Sequence, residues 1–241
     1  KIGDVLLRPT PLVKLKLRVN KLDSKDYDNL ENWKLLEAFN RASLLWVRQN
    51  LHGGNMYKEG NEQSLRRIDD LNLLIKEKEI LYNTKDNYII TAPYPDDYLE
   101  YKRIDLYVDS DCCENEKIVV YLTKSADKNI IERSETHKAS FLWRETFAIS
   151  EDKRFKIAIP QDEDNININK VILVYFRKPV TVKKAGEFDM ETGAIAVSDV
   201  DPEFNDDVVE VLIDYTASLI GADIIDPDIM QLRTQTAHNT N

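Results

Sequence analysis

The stretch Arg103-Ile104-Asp105-Leu106-Tyr107-Val108, followed by Lys117-Ile118-Val119-Val120-Tyr121-Leu122, decides the fold class. Both runs are short and rich in β-branched and aromatic residues. A turn-forming cluster, Asp109-Ser110-Asp111-Cys112-Cys113-Glu114-Asn115, divides them. That combination predicts two strands. Tyr88-Ile89-Ile90-Thr91 precedes them, and Thr146-Phe147-Ala148-Ile149, Phe155-Lys156-Ile157-Ala158-Ile159 and Val171-Ile172-Leu173-Val174-Tyr175-Phe176 follow. No long helical pattern separates these runs, so the sheet they form is expected to be mostly antiparallel, as a small sandwich or barrel-like region.

Outward from this centre the period changes. Toward the N-terminus, Leu35, Ala38, Phe39, Ala42, Leu45 and Trp46 recur at helical spacing, and Trp33, Leu36, Leu44 and Val47 make a second stripe. A helix over 29–51 follows, started by Asp28 or Asn29 and stopped by His52-Gly53-Gly54. Leu65, Ile68, Leu71, Leu74 and Ile75 predict a second helix from about Glu62 to Leu81. Toward the C-terminus, Asp201-Pro202 reads as a helix start. Phe204, Val208, Val211, Leu212, Tyr215 and Leu219 share a face, and Gly221 is placed as a stop. Asp226-Pro227 repeats the start signal for a short last helix. The expected class is α+β: a helical bundle from the N- and C-terminal helices, with the β region inserted. The expected organisation is an extended arm over 1–20, the first part of the bundle over 21–85, the β-rich insertion over 86–185, and an acidic linker with the second part of the bundle over 186–241.

The arm is predicted from Arg8-Pro9-Thr10-Pro11, which resists helix. Leu12-Val13-Lys14-Leu15-Lys16-Leu17-Arg18-Val19 then alternates apolar and basic residues at the period of a half-buried strand. With no hairpin partner nearby, Leu12, Val13, Leu15, Leu17 and Val19 are candidates for contact with another chain.

Composition excludes several classes. The chain has 241 residues, of which 42% are apolar and 32% charged. Seven glycines and eight prolines are too few for a collagen-like or low-complexity chain. No run reaches the roughly 18 apolar residues of a membrane span, and Lys1-Ile2-Gly3-Asp4-Val5 has no apolar secretory segment. With 33 basic and 43 acidic residues the net charge is −10, which argues against a general nucleic-acid coat. That balance is local. From Ala185 to Leu232 there are thirteen acids and no Lys or Arg, and the remainder carries 30 acids and 33 bases. Asp206, Asp207 and Glu210 stand out as candidates for an acidic channel wall or for an interface with a basic neighbour.

Chemistry-bearing motifs are sparse. Cys112 and Cys113 are the only cysteines, which excludes a disulfide framework; as neighbours they read as a strand end running into a turn, with a vicinal redox pair as the sharper alternative. The three histidines, His52, His137 and His238, lie far from them in sequence, so no metal site is expected. His52-Gly53-Gly54 lacks the Gly-x-Ser-x-Gly partner of an esterase. Asp162-Glu163-Asp164-Asn165-Ile166-Asn167 lacks the Gly and Glu of a calcium loop and reads as a polar turn. The carboxylate pairs Asp96-Asp97 and Asp206-Asp207 have no substrate-binding motif beside them. No phosphate loop or dinucleotide fingerprint occurs. The expectation is a protein with no catalytic residues and no cofactor.

Three stretches carry a family resemblance. They are Asn32-Trp33-Lys34-Leu35-Leu36-Glu37-Ala38-Phe39-Asn40 with the helix after it, Thr91-Ala92-Pro93-Tyr94-Pro95-Asp96-Asp97-Tyr98-Leu99 leading into the β region, and Pro202-Glu203-Phe204-Asn205-Asp206-Asp207-Val208-Val209-Glu210-Val211-Leu212-Ile213 with Gly221-Ala222-Asp223 and Asp226-Pro227. In these the chain resembles the head-to-tail connector proteins of short-tailed bacteriophages, the adaptor or tail-tubular ring family, and its last stretch resembles structural proteins of crAss-like phages. The resemblance implies a non-enzymatic virion protein, assembled in the host cytoplasm. It implies a ring, typically twelve-fold, below the portal protein and against other tail or ring proteins. DNA would pass through without specific binding. A strand-like arm can join a neighbour's sheet, repeated head-to-tail contacts can close into a ring, and acidic walls do not hold phosphates. The alternative from another class is a soluble binding module, with a partner- or carbohydrate-binding β domain on a helical base.

Overall fold

The computed structural model describes residues 11–21, 31–52, 70–134, 136–163 and 165–224. The chain is α+β and divides into two compact units: Leu74–Lys178, and a second unit of Lys1–Leu73 with Pro179–Asn241.

The first unit is one eight-stranded, mostly antiparallel sheet. Its strands are β1 (Ile75–Glu79), β2 (Tyr82–Lys85), β3 (Tyr88–Thr91), β4 (Tyr98–Asp109), β5 (Glu116–Thr123), β6 (Glu145–Glu151), β7 (Arg154–Ala158) and β8 (Asn167–Arg177). The order across the sheet is β1-β8-β4-β5-β6-β7-β3-β2, and β5–β6 is the parallel pair. The two edge strands, β1 and β2, are consecutive in the chain. Between them, the Ile80 amide donates to the Val171 carbonyl of β8, and the Leu81 carbonyl accepts from Ala92, just past β3. Two residues thus bridge the opposite edges, and the sheet curls on itself. Alternate residues of each strand then face inward: Ile104, Leu106 and Val108 from β4, Ile118 and Val120 from β5, Phe155 and Ile157 from β7, and Val171, Leu173 and Tyr175 from β8. A smaller cluster of Phe147, Ile149 and Ala158 packs with Ile131 of the short helix α3 (Lys128–Arg133). The unit is an insertion. β1 begins and β8 ends side by side, with Ile75 opposite Phe176 and the Arg177 amide donating to the Leu74 carbonyl.

The predicted strands fall inside β3 to β8, save Ile159 just past the end of β7, but two flanking elements differ. The helix expected to Leu81 ends earlier: residues 70–72 are helical, and Ile75–Glu79 is strand β1. Leu74 and Ile75 therefore do not extend a helical stripe. Ile-Lys-Glu-Lys-Glu has good helix formers, but β8 offers a full register of partners, and tertiary pairing overrides propensity. Its exposed charges suit an edge, because they discourage pairing with another sheet. The β unit accordingly starts at Leu74 rather than near 86. Residues 62–69 lie outside the described residues.

In the second unit, α1 (Pro11–Lys21) and α2 (Asn32–His52) both pack against α4 (Asp206–Ile224). The alternating stretch 12–19 is therefore helical, not an extended strand, and residues 1–10 lie outside the described residues. Leu12, Leu15 and Val19 repeat at helical spacing and are buried, whereas Val13 and Leu17 point outward. Lys14 and Arg18, one turn apart, form ion pairs with Glu210, and Arg18 also with Asp214, again one turn apart. In α2, Leu35, Phe39, Ala42, Ser43 and Val47 are buried. The second predicted stripe contributes only Val47 to that set.

The C-terminal helix starts at Asp206, four residues later than the Pro202 signal predicts. The Asn205 carbonyl accepts from Val209, so the first turn closes there. Pro202 remains in the preceding loop, while Phe204 is buried and packs edge-on against Trp46, with centroids 5.5 Å apart. The helix continues through Gly221 to Ile224, so Gly221 is not its stop. The short helix predicted after Asp226 lies outside the described residues. Between β8 and α4, a two-stranded hairpin forms from β9 (Phe188–Asp189) and β10 (Ala194–Ile195). Gly193 makes its turn at φ 68°, a conformation costly for a residue with a side chain.

Candidate functional site

The most distinctive surface feature of the β unit is the loop Ser140–Arg144, just before β6. It presents three large apolar residues in a row. Phe141 turns into the core, while Leu142 and Trp143 stand outward at 79% and 73% exposure. The loop is tightly constrained. Ser140 pairs with Glu145 through both backbone groups, at 2.8 and 3.1 Å, and the Arg144 amide donates to the Phe141 carbonyl at 3.0 Å. Arg144 takes a positive φ of 55° to close the turn. From outside the loop, Asp162 accepts from the Ser140 hydroxyl at 2.6 Å, the Phe141 amide at 2.8 Å and the Leu142 amide at 3.3 Å. Partial burial pushes the Asp162 carboxyl up, but these donors outweigh it and hold the group below the ordinary carboxylate range. On the parallel neighbour β5, Val119 accepts its place by donating its amide to the Arg144 carbonyl at 2.8 Å, and its side chain is exposed, as is that of Tyr121. The Arg144 guanidinium is drawn aside to Glu116 at 3.2 Å. The result is an apolar projection on a loop whose backbone is held by hydrogen bonds, a property expected of a docking anchor.

The helical unit has apolar display of its own. On the hairpin and the segment after it, Met190, Ile195 and Val197 are exposed, the last at 96%. Phe188 is also exposed, and its ring meets Trp33 edge-on at 6.1 Å. The hairpin is tied down by Asp189, which takes Lys183 at 2.7 Å, the Thr192 hydroxyl at 2.7 Å and the Glu191 amide at 3.0 Å. Lys183 foremost, then Thr192, lowers its carboxyl to about 2. Asn40 of α2 secures the preceding strand-like segment by exchanging two hydrogen bonds with Val182, at 2.8 and 3.1 Å. Beside it opens a cavity of about 90 Å³ lined by Leu12, Leu15, Leu36, Phe39 and Val200, with Asp199 and Asp201 among its charged members.

The sequence-derived site residues distribute differently from expectation. Of the arm candidates, Leu12, Leu15 and Val19 are spent on the core of their own unit, and Val13 and Leu17 remain outward. Glu210 meets its basic neighbours within the same chain, on α1. Asp206 and Asp207 sit exposed in the first turn of α4, where negative charge suits the helix dipole. The Asp162 carboxylate is used inside its own unit, and Asp97 likewise receives the Tyr175 hydroxyl at 2.7 Å and Lys76 at 2.6 Å. Among the described residues, no group of three or more His, Cys, Asp or Glu side chains is gathered as a metal site. Also among them, no helix is long and apolar enough to cross a membrane.

Leu142 and Trp143 were not singled out by sequence reasoning. The signal was there: Phe141-Leu142-Trp143 between polar flanks cannot turn all three side chains inward in a strand or a tight turn. Neither a scan against family models nor a search of curated proteins finds a match for the chain.

Proposed function

We propose that this chain is a non-enzymatic structural subunit of a virion head-to-tail connector ring, assembled on the portal side of the tail in the host cytoplasm. In this reading its rings extend the channel through which the genome passes. The observation that carries the reading is the fixed outward display of Leu142 and Trp143 on a loop clamped by Asp162. A chain that worked alone would gain nothing from presenting two large apolar side chains to water; such patches mark association sites. The helical unit carries a second, unlike patch on Met190, Ile195 and Val197. Two unlike patches on one chain suit head-to-tail contacts, which close into a ring when the rotation permits. The resemblance of the long α2 helix, the 91–99 stretch and the 202–213 stretch to connector proteins points the same way. A helical bundle completed by both chain ends, a twelve-fold ring, and contacts with portal and other tail or ring proteins belong to the same proposal.

Within it, Val13 and Leu17 on α1 are the arm residues that meet the neighbouring subunit. Asp206 and Asp207 are the acids that line the channel or face a basic partner, so DNA passes without being held.

Native mass spectrometry and negative-stain micrographs of the purified chain, alone and with portal protein, test the reading. Closed oligomers are expected, and Leu142→Ser with Trp143→Ser should leave a folded monomer. A wild-type chain that stays monomeric both alone and with portal protein overturns it.

A further inference from the structure

The turn between β4 and β5 sets the chain's two cysteines side by side. Cys112 is exposed and Cys113 partly so, and their Sγ atoms lie 2.8 Å apart. The Ser110 hydroxyl oxygen is 3.1 Å from Cys112 Sγ. The backbone is fixed around them: Ser110 and Cys113 exchange amide-to-carbonyl hydrogen bonds at 2.9 and 3.3 Å, and the Asn115 amide donates to Asp109 at 2.6 Å. Asn115 completes the turn at φ 54°.

We propose that Cys112 and Cys113 form a reversible dithiol site that closes to a vicinal disulfide by exchange with a small-molecule disulfide such as oxidised glutathione. A disulfide needs its sulfurs about 2.05 Å apart, so closure asks for less than about 1 Å of approach between them, with strain taken up in the Cys112–Cys113 peptide unit. In the first step the Cys112 thiolate attacks one sulfur of oxidised glutathione. The glutathione S–S bond breaks, one glutathione leaves as a thiol, and a mixed disulfide forms on Cys112. In the second, the Cys113 thiolate attacks the Cys112 sulfur and expels the second glutathione. The two cysteines together give up two electrons and two protons, and oxidised glutathione takes them up as two thiols. Cys112 attacks first because it is the more exposed. The product is easily reversed. Adjacent Cα atoms are 3.8 Å apart, below the usual disulfide range of about 4.4–6.8 Å, and strained exposed disulfides are the labile ones. This inference stands apart from the connector reading and does not depend on it.

The test uses the full chain treated with oxidised glutathione and weighed intact without reductant. The expected product has lost two hydrogens, carries no glutathione, remains a single chain, and returns to its starting mass with reduced glutathione. Phenylarsine oxide gives a second reading, since its arsenic can bridge two thiols with loss of one water. One equivalent should bind per wild-type chain, and Cys112→Ser or Cys113→Ser should each abolish that binding. With oxidised glutathione, each single variant should stop at one glutathione adduct. Wild-type chains that keep glutathione, cross-link to one another, or bind phenylarsine oxide no better than the single variants overturn the proposal.

Discussion

The two units stabilise themselves in different ways. The β unit hydrogen-bonds every strand to a neighbour around a curled sheet and fills the inside with alternating side chains, so its core depends on register. Among the described residues, the helical unit has one strand pair, the short β9–β10 hairpin. Its helices α1 and α4 are matched by apolar spacing and by two ion-paired turns, Lys14 and Arg18 against Glu210 and Asp214. A closed sheet tolerates little change at any inward position. A helix laid on another helix is held by one stripe and can be released piecemeal, which makes α1 more open to rearrangement than the strands of the sheet.

The strongest way to break this comparison is through the β core. Phe155 is fully buried and touches the rings of Tyr94 and Tyr101. Phe155→Ala should cost about 3–5 kcal/mol, read as lost hydrogen-exchange protection across β3 to β8. Equal loss in α2 and α4 would show that the two units unfold as one. Next comes Leu212→Ala in α4, also fully buried, which should cost about 2–5 kcal/mol and expose α1 and α2 first. If α1 keeps its protection, its docking on α4 is not what holds it.

Acid separates the units more gently. Asp189 titrates near 2 in the fold, below the ordinary aspartate value of about 3.9. Its contribution is therefore fully present above about pH 4 and disappears as pH falls through about 2. Amides of the 188–195 hairpin should lose protection across that window, and Asp189→Asn should show the loss already at neutral pH. A hairpin equally protected at pH 2 would place its stability elsewhere.

The smallest effect is expected at the α1 ion pairs, which are partly exposed. Glu210→Ala should cost under about 1 kcal/mol, and less in high salt. Glu210→Lys should do more, by setting a third cation against Lys14 and Arg18, and should raise protease sensitivity near residues 11–21 without touching the sheet. An unchanged digestion pattern would mean that the apolar stripe alone holds α1.

Strands β3 to β8 were legible because a half-buried strand writes its burial directly into alternate residues, and Ile104, Leu106 and Val108 can be read off one by one. The inserted arrangement was legible in outline for the same reason, but its entry was not, because Ile75–Glu79 reads as helix and the sheet already begins there. What could not be read was any element whose string satisfies two periods. Leu12 to Val19 offers a strand face in 13, 15, 17 and 19 and a helix face in 12, 15 and 19. Only the docking surface of α4, with its acids one turn apart, selects the helix. Ile75 to Glu79 favours helix by local propensity, and only the open edge of β8 makes it a strand. For the candidate sites, the cysteine pair is visible in the sequence, but the 2.8 Å between its sulfurs belongs to the turn that Ser110 and Asp109 hold. Leu142 and Trp143 could be seen to be crowded, yet their outward display depends on Asp162, twenty residues away. The sequence by itself determined where the chain alternates and where its charge collects. Which face each ambiguous segment buries was decided by partners distant in sequence, because burial is a property of the assembled surface and not of the segment.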